Sequence, residues 1–361
     1  MLETYLDYNA TAPLRREVRD AMLDVMAVPS NPSSVHGFGQ KARLKVEDAR
    51  AQLATLTGAT PEEIIFTSGG TEANAMALMR DWPQVFIGAT EHAAVREAVP
   101  QAQILAVDGN GLIDLDDLDA RLAKAPTGSL VSVMAANNET GVIQPLAPII
   151  DIAHRHDALV HSDAVQALGK IPLDFGASGI DLMSLSAHKI GGPTGVGALI
   201  QREGIAANPL SRGGGQERNR RPGTENVAGI IGFGAAAGLA EVAAYNAHCR
   251  PLRDLLEARI TAAVPEAVII AVATERLANT TCLALPGRIA ETQVMALDLK
   301  GIAVSAGAAC SSGKVKSSHV LEAMGSGDLA ACAIRISCGW ASTKDDIERL
   351  AEVWINLYKQ F

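Results

Sequence analysis

Short apolar runs recur along the chain, among them IIFTS (64–68), QVFIGA (84–89), SLVSVMA (129–135), ALVHSD (158–163) and LMSLSA (182–187). None alternates apolar with polar residues, as a strand with one wet face would, so each has to be buried on both faces. The stretches between them have helical period, as in KARLKVEDARAQLATLTG (41–58) and PLAPIIDIAHRHD (145–157). Runs of strand length separated by helices predict a mainly parallel sheet covered on both sides, an α/β domain. From about Cys249 the pattern changes to helices and strands in mixed order, read as a smaller α+β domain. The expected division is 14–245 for the large domain, with 1–13 and 246–361 forming the small one.

In an open α/β sheet the ligand crevice lies at the carboxyl ends of the strands. Those ends are polar here: Ser68-Gly69-Gly70-Thr71, Glu91-His92, Asn137-Asn138-Glu139, Asp163 with Gln166, and Ser186-Ala187-His188-Lys189. Each has an ordinary reading. Gly69-Gly70-Thr71 can be a plain strand-to-helix turn, or N–H groups at a helix N-terminus can cradle a phosphate. Asp163 can cap a helix spanning 164–170, or sit under a pyridine ring and keep its nitrogen protonated, with Gln166 one turn on donating to a ring oxygen. Lys189 can be a surface lysine, or an amine whose surroundings suit it to a Schiff base, with Ser186 and His188 as phosphate donors. His92 reads as a cap or as a ring-stacked proton shuttle. Arg335, within the apolar AIRISCG (333–339), needs a carboxylate, from the protein or from a substrate. As a set these residues ask for pyridoxal phosphate.

Composition removes other classes. With 40 acidic and 31 basic residues the net charge is −9, unsuited to nucleic acid or an anionic membrane. No apolar run approaches the roughly 20 residues of a membrane span. MLETYLDYNATAP lacks the regions of a secretory signal, so a cytoplasmic protein is expected. The five cysteines are scattered without a C-x-x-C pair, which predicts reduced thiols and no metal. Cys249, Cys282, Cys332 and Cys338 read as packing. Cys310 differs, because SAGAACSSGKVK (305–316) is a small-residue, exposed type of segment whose lysines favour a thiolate. Arg212, Arg218, Arg220 and Arg221 gather in a glycine-rich loop with Thr224, a residue able to reach a phosphate in a partner subunit.

Ten motifs, DYNATAP, NPSSVHGFGQKAR, FTSGGTEANA, EHAAV, NNETGVIQP, HSDAVQALGK, SAHKIGGPTGVGAL, GGGQERNRRPGTEN, SAGAACSSG and RISCG, stand in one order over almost the whole chain. In this the sequence resembles the cysteine desulfurases, class-V aminotransferases, and within them the branch that supplies nitrogenase and general iron–sulfur cluster assembly. The resemblance implies a fold-type I homodimer with a seven-stranded sheet. It also implies a pyridoxal 5'-phosphate enzyme that converts L-cysteine to L-alanine through a persulfide on Cys310, passed to a sulfur acceptor or iron–sulfur scaffold protein. Lys189 would carry the cofactor, Asp163 and Gln166 would meet its ring, and His92 would stack on it. Gly70, Thr71, Ser186, His188 and the partner's Thr224 would hold its phosphate, while Asn138 and Arg335 would orient the substrate. A selenocysteine lyase or small amino-acid aminotransferase of the same fold is the alternative activity. A sulfur-carrier module that keeps only the fold is the non-catalytic one.

Overall fold

The computed structural model describes residues 4–206, 209–307 and 317–358. Seven strands form the large sheet, in the spatial order Ile64–Thr67, Gly197–Gln201, Leu182–Ser186, Leu159–Asp163, Leu130–Ser132, Val85–Gly88, Gln103–Leu105. All neighbours run parallel except Gly197–Gln201, which is antiparallel to both of its partners. The α/β expectation therefore holds, and the runs read as doubly buried strands are buried along nearly their whole length. Helices cover both faces. Gly37–Thr57 and Val227–Gly238 lie so close that a Cβ on Gly234 would come 2.5 Å from Ala49 Cα, so only glycine permits that approach.

A second apolar cluster joins Leu6 to the helices Val242–Ala263 and Lys344–Tyr358, and to the strands Thr280–Ala284 and Ala333–Ser337. These two strands are antiparallel and lie within a four-stranded sheet flanked by Ser305–Ala306 and Val268–Ile269. Thr4–Tyr5 pairs in parallel with Ile302–Ala303. The N-terminal segment then crosses between the two sheets: Ser337 N–H donates to Leu6 O, Tyr8 N–H to Ser337 O, and Ala12 N–H to His188 O.

One local expectation fails. Residues 165–170 form successive turns, not the expected helix, closing at Gly169 with φ +69°, a conformation a continuing helix cannot hold. The apolar stretch from 227 is two helices, Val227–Gly238 and Val242–Ala263, meeting at a bend of 75°. The second begins well before Pro251 and continues through it. Buried Cys249, Leu252, Leu256 and Ile260, at helical spacing, hold it against the core and offset the hydrogen bond that proline cannot donate. Among the described residues no single helix is long and apolar enough to cross a membrane.

Candidate active site

Between the seven-stranded sheet and the four-stranded sheet lies a cavity of about 510 Å³. Gly70, Thr71, His92, Asn138, Asp163, Gln166, Ser186, His188, Lys189 and Arg335 all line it, joined by Asp7, Asn9, Asn74, Ser305 and Gly307. Residues scattered over the chain meet because most of them follow the end of a strand in the large sheet, whereas Arg335 lies inside Ala333–Ser337.

Asp163 ends its strand 6% exposed. Its Oδ2 accepts from Asn74 Nδ2 at 2.7 Å and its Oδ1 from Val165 N–H at 3.0 Å, so it caps the following turn and lines the cavity at once. Opposite, Gly69 caps the nine-residue helix Gly70–Leu78 with no side chain to accept its first N–H groups. A Cβ on Gly70 would come 2.7 Å from Val165 Cγ2, so any side chain there would collide with Val165. The strand Leu182–Ser186 delivers a tight turn, Ala187–Lys189, which brings the lysine back over the sheet. Lys189 Nζ donates to the carbonyls of Asn9 at 2.6 Å and Ala10 at 2.8 Å.

Burial, followed by the charges of Lys189 and Lys170, pushes the His188 pKa down to about 4, so it is neutral at physiological pH. Its Nδ1 meets Thr11 Oγ1 at 3.1 Å. His92 Nδ1 accepts from Ala94 N–H at 3.1 Å, which leaves Nε2 to carry the proton of a neutral ring. Behind Asp163, burial and that carboxylate raise the Glu91 pKa well above its usual value. His161, bridging Ser132 and Ser184, is driven down to about 3 by burial and then by Arg80.

Arg335 enters from the four-stranded sheet. Its Nη2 reaches Asp7 Oδ1 at 2.6 Å and its Nη1 reaches Asn138 O at 3.1 Å, while the buried Nε has no partner among the described residues. Both sequence readings of this arginine are thus partly met: it has a protein carboxylate and keeps one donor unused.

Two sequence candidates stand apart. Thr224 lies in a separate cleft with Ser68, Arg221 and Asn226 and does not line the cavity. Cys310 falls outside the described residues. Of the segments on either side of it, Gly307 lines the cavity, and Ser318 donates to the buried Glu139 Oε2 at 2.5 Å. Burial lifts the Glu139 pKa to about 7, the Ser318 contact and Arg335 opposing. The other four cysteines are buried, as expected.

Sequence reasoning missed Asp7, Asn9, Asn74 and Lys170. Asn74 stands three residues after Thr71, on the helix face that meets the cavity, and that spacing could have pointed to it. Asp7 and Asn9 sit in DYNATAP, which has no periodicity to place it.

The Aminotransferase class-V family model matches residues 4–350. A protein called cysteine desulfurase from Cereibacter sphaeroides is 44% identical, covering 98% of this chain and 95% of that one. Cysteine desulfurase IscS from Dictyoglomus turgidum is 41% identical, covering 97% and 93%. Among solved structures, a NifS-like protein from Rickettsia africae superimposes with a TM-score of 0.92 at 37% identity, covering 99% of both chains. SspA in complex with cysteine superimposes at 0.80 with 28% identity, covering 92% of this chain and 98% of that one. Matched nearly end to end in sequence and in fold, this chain belongs to the class-V aminotransferases and, among them, to the cysteine desulfurases.

Proposed function

We propose that this protein takes sulfur from free L-cysteine, releases L-alanine, and carries the sulfur as a persulfide on Cys310 for an acceptor in iron–sulfur cluster assembly. One observation carries the reading: a lysine amine, a buried strand-end carboxylate and an arginine with an unused donor converge on one cavity. Likeness to a structure named as a complex with cysteine supports the choice of substrate.

The family depends on pyridoxal phosphate, and the residues present fit it. The uncapped helix start at Gly70 and Thr71, with Ser186 and neutral His188, offers hydrogen-bond donors to a phosphate. Asp163 faces the same space to meet a ring nitrogen, Gln166 a ring oxygen, and Lys189 supplies the amine that tethers the group. Once bound, pyridoxal phosphate draws electrons from the substrate's Cα and so makes its proton removable.

The chain's own residues do the rest. Arg335 Nε binds the substrate carboxylate beside Asn138 and orients Cα toward Lys189. The lysine amine, released from its tether, moves the Cα proton. The Cys310 thiolate attacks the substrate sulfur, an S–S bond forms, and the C–S bond breaks with its electron pair left on carbon, which takes up a proton on the way to alanine.

Purified protein with pyridoxal phosphate, cysteine and a dithiol should yield alanine and sulfide in equal amounts. Lys189→Ala and Cys310→Ala should each abolish both products; sulfide from Cys310→Ala at the wild-type rate would refute the persulfide. Turnover that depends on an added 2-oxo acid would point to an aminotransferase instead.

The assembly we propose is a homodimer. Val35, Phe38 and Leu44, on and just before the helix Gly37–Thr57, are exposed at 87, 54 and 65% and ask for a cover. Thr224, outside its own cavity, is then free to serve the partner's. Light scattering should return twice the mass of one chain.

A further inference from the structure

Lys170 is 2% exposed, yet it occupies no place in the chemistry above. A buried lysine is held by its contacts or is destabilising, and this one has two. Its Nζ donates to Gln166 Oε1 at 2.7 Å and to Asn9 Oδ1 at 2.9 Å. Burial, followed by the charges of Lys189 and Arg335, holds its pKa well below the ordinary lysine value. A neutral amine still has two N–H groups, enough for both acceptors, so these contacts survive loss of the charge.

The geometry points to Lys170 as a positioning residue that fixes which end of the Gln166 amide the cavity meets. Either end of a glutamine amide fits the same space, and only its partners decide between them. A lysine amine engaged as a donor demands the carbonyl oxygen. With Oε1 turned to Lys170, Nε2 has two hydrogens to place, and one goes to Asn9 O at 2.9 Å. The second is left for the cavity that Gln166 lines. Were the amide reversed, the cavity would face an acceptor and the lysine would lose its partner. Asn9 ties the arrangement to the reacting amine, because its carbonyl accepts from Lys189 Nζ and from Gln166 together. Its side chain is fixed in turn by Asn279 and Thr280. Lys170 thus acts through Gln166 and touches no reactant.

This inference rests on the pyridoxal-phosphate reading, and the test separates the two. Bound pyridoxal phosphate shows a visible absorption band that titrates with pH. A donor facing a ring oxygen changes the midpoint by the worth of one hydrogen bond, roughly 0.4 to 1 pH unit. Lys170→Met should move the midpoint by that much, in the direction that Gln166→Ala moves it. In a Gln166→Ala background Lys170→Met should add nothing, since the route through the amide is already gone. Lys170→Gln keeps a donor and should restore most of the wild-type midpoint.

A Lys170→Met midpoint equal to wild type would overturn the proposal. So would a shift that adds in full to that of Gln166→Ala, because the lysine would then act by its field or on the fold. Should Lys170→Met not fold, Lys170→Gln decides alone, and a shift as large as that of Gln166→Ala refutes the proposal. A wild-type protein with no visible band after incubation with pyridoxal phosphate would instead overturn the cofactor reading itself.

Discussion

Two arginines are equally buried, their side chains each 5% exposed, and both meet a carboxylate. Arg50 is saturated. Its Nη1 and Nη2 grip the two oxygens of Glu217 at 2.9 Å each, Nη1 also reaches Ile64 O, and Nε reaches Glu47 at 3.2 Å. The guanidinium lies over the Phe66 ring at 4.7 Å, and Glu217 also accepts from Phe66 N–H. Arg335 holds its acid by one oxygen, and its Nε has no partner among the described residues. A planar fork with every nitrogen engaged is a structural pin, whereas one with a buried nitrogen left over has room for a ligand carboxylate. The neighbouring backbone agrees: Glu217, Arg218 and Asn219 all have positive φ, and the Arg50 pair holds that loop in place.

The widest gap between the two sites should appear in stability. Glu217→Ala leaves the Arg50 charge buried without its main partner and should cost about 3 to 5 kcal/mol. Denaturant unfolding measures this, and a loss under 1 kcal/mol would remove the contrast. A smaller effect should come from pH. Near Arg335, Glu139 has a folded pKa of about 7 against an ordinary 4.5. The sign follows from the raised value: its neutral form favours the fold below pH 4.5, and that contribution is lost as pH rises toward 7. His161, with its pKa depressed from 6.5 to about 3, runs the other way over an overlapping range. The informative quantity is therefore the difference between wild type and Glu139→Gln. It should change by up to about 3 kcal/mol between pH 4.5 and 7, and be flat above.

The same two arginines show what a sequence reveals. The parallel sheet was legible because doubly buried strands cannot alternate, and so were Asp163, which ends such a strand, and Lys189, which stands three residues beyond the end of another. The fork of Arg335 was legible as a question, since a charge inside AIRIS had to be paired. Arg50 was not, because an arginine on an amphipathic helix reads as surface and its partner lies 167 residues on. Asn9 was hidden for the same reason, its side chain bonding Thr280 at a separation of 271 residues. Turns 165–170 passed for a helix because their apolar spacing is helical, and only the left-handed Gly169 ends the resemblance. Lys170 had no signal beyond standing four residues after Gln166.

The last two effects are on binding and on the incomplete fork itself. Arg335→Lys keeps a charge but loses the planar edge. KM for cysteine should rise about 100-fold, the worth of a charge-assisted pair, while unfolding shifts little. Asp7→Asn should do least. The amide keeps one oxygen for Arg335, and its Nδ2 can donate to the Ser305 hydroxyl, which in the wild type donates to Asp7 Oδ2 at 2.8 Å. The variant should lose about 1 kcal/mol of stability, because a neutral acceptor replaces a charged one. Cysteine binding should tighten modestly, since the guanidinium charge is no longer shared with a resident carboxylate. A Kd for cysteine that rises in Asp7→Asn as steeply as KM rises in Arg335→Lys would make the acid part of the substrate's own recognition. Arg335 would then be one arm of a paired clamp, and its unused Nε would no longer distinguish it from Arg50.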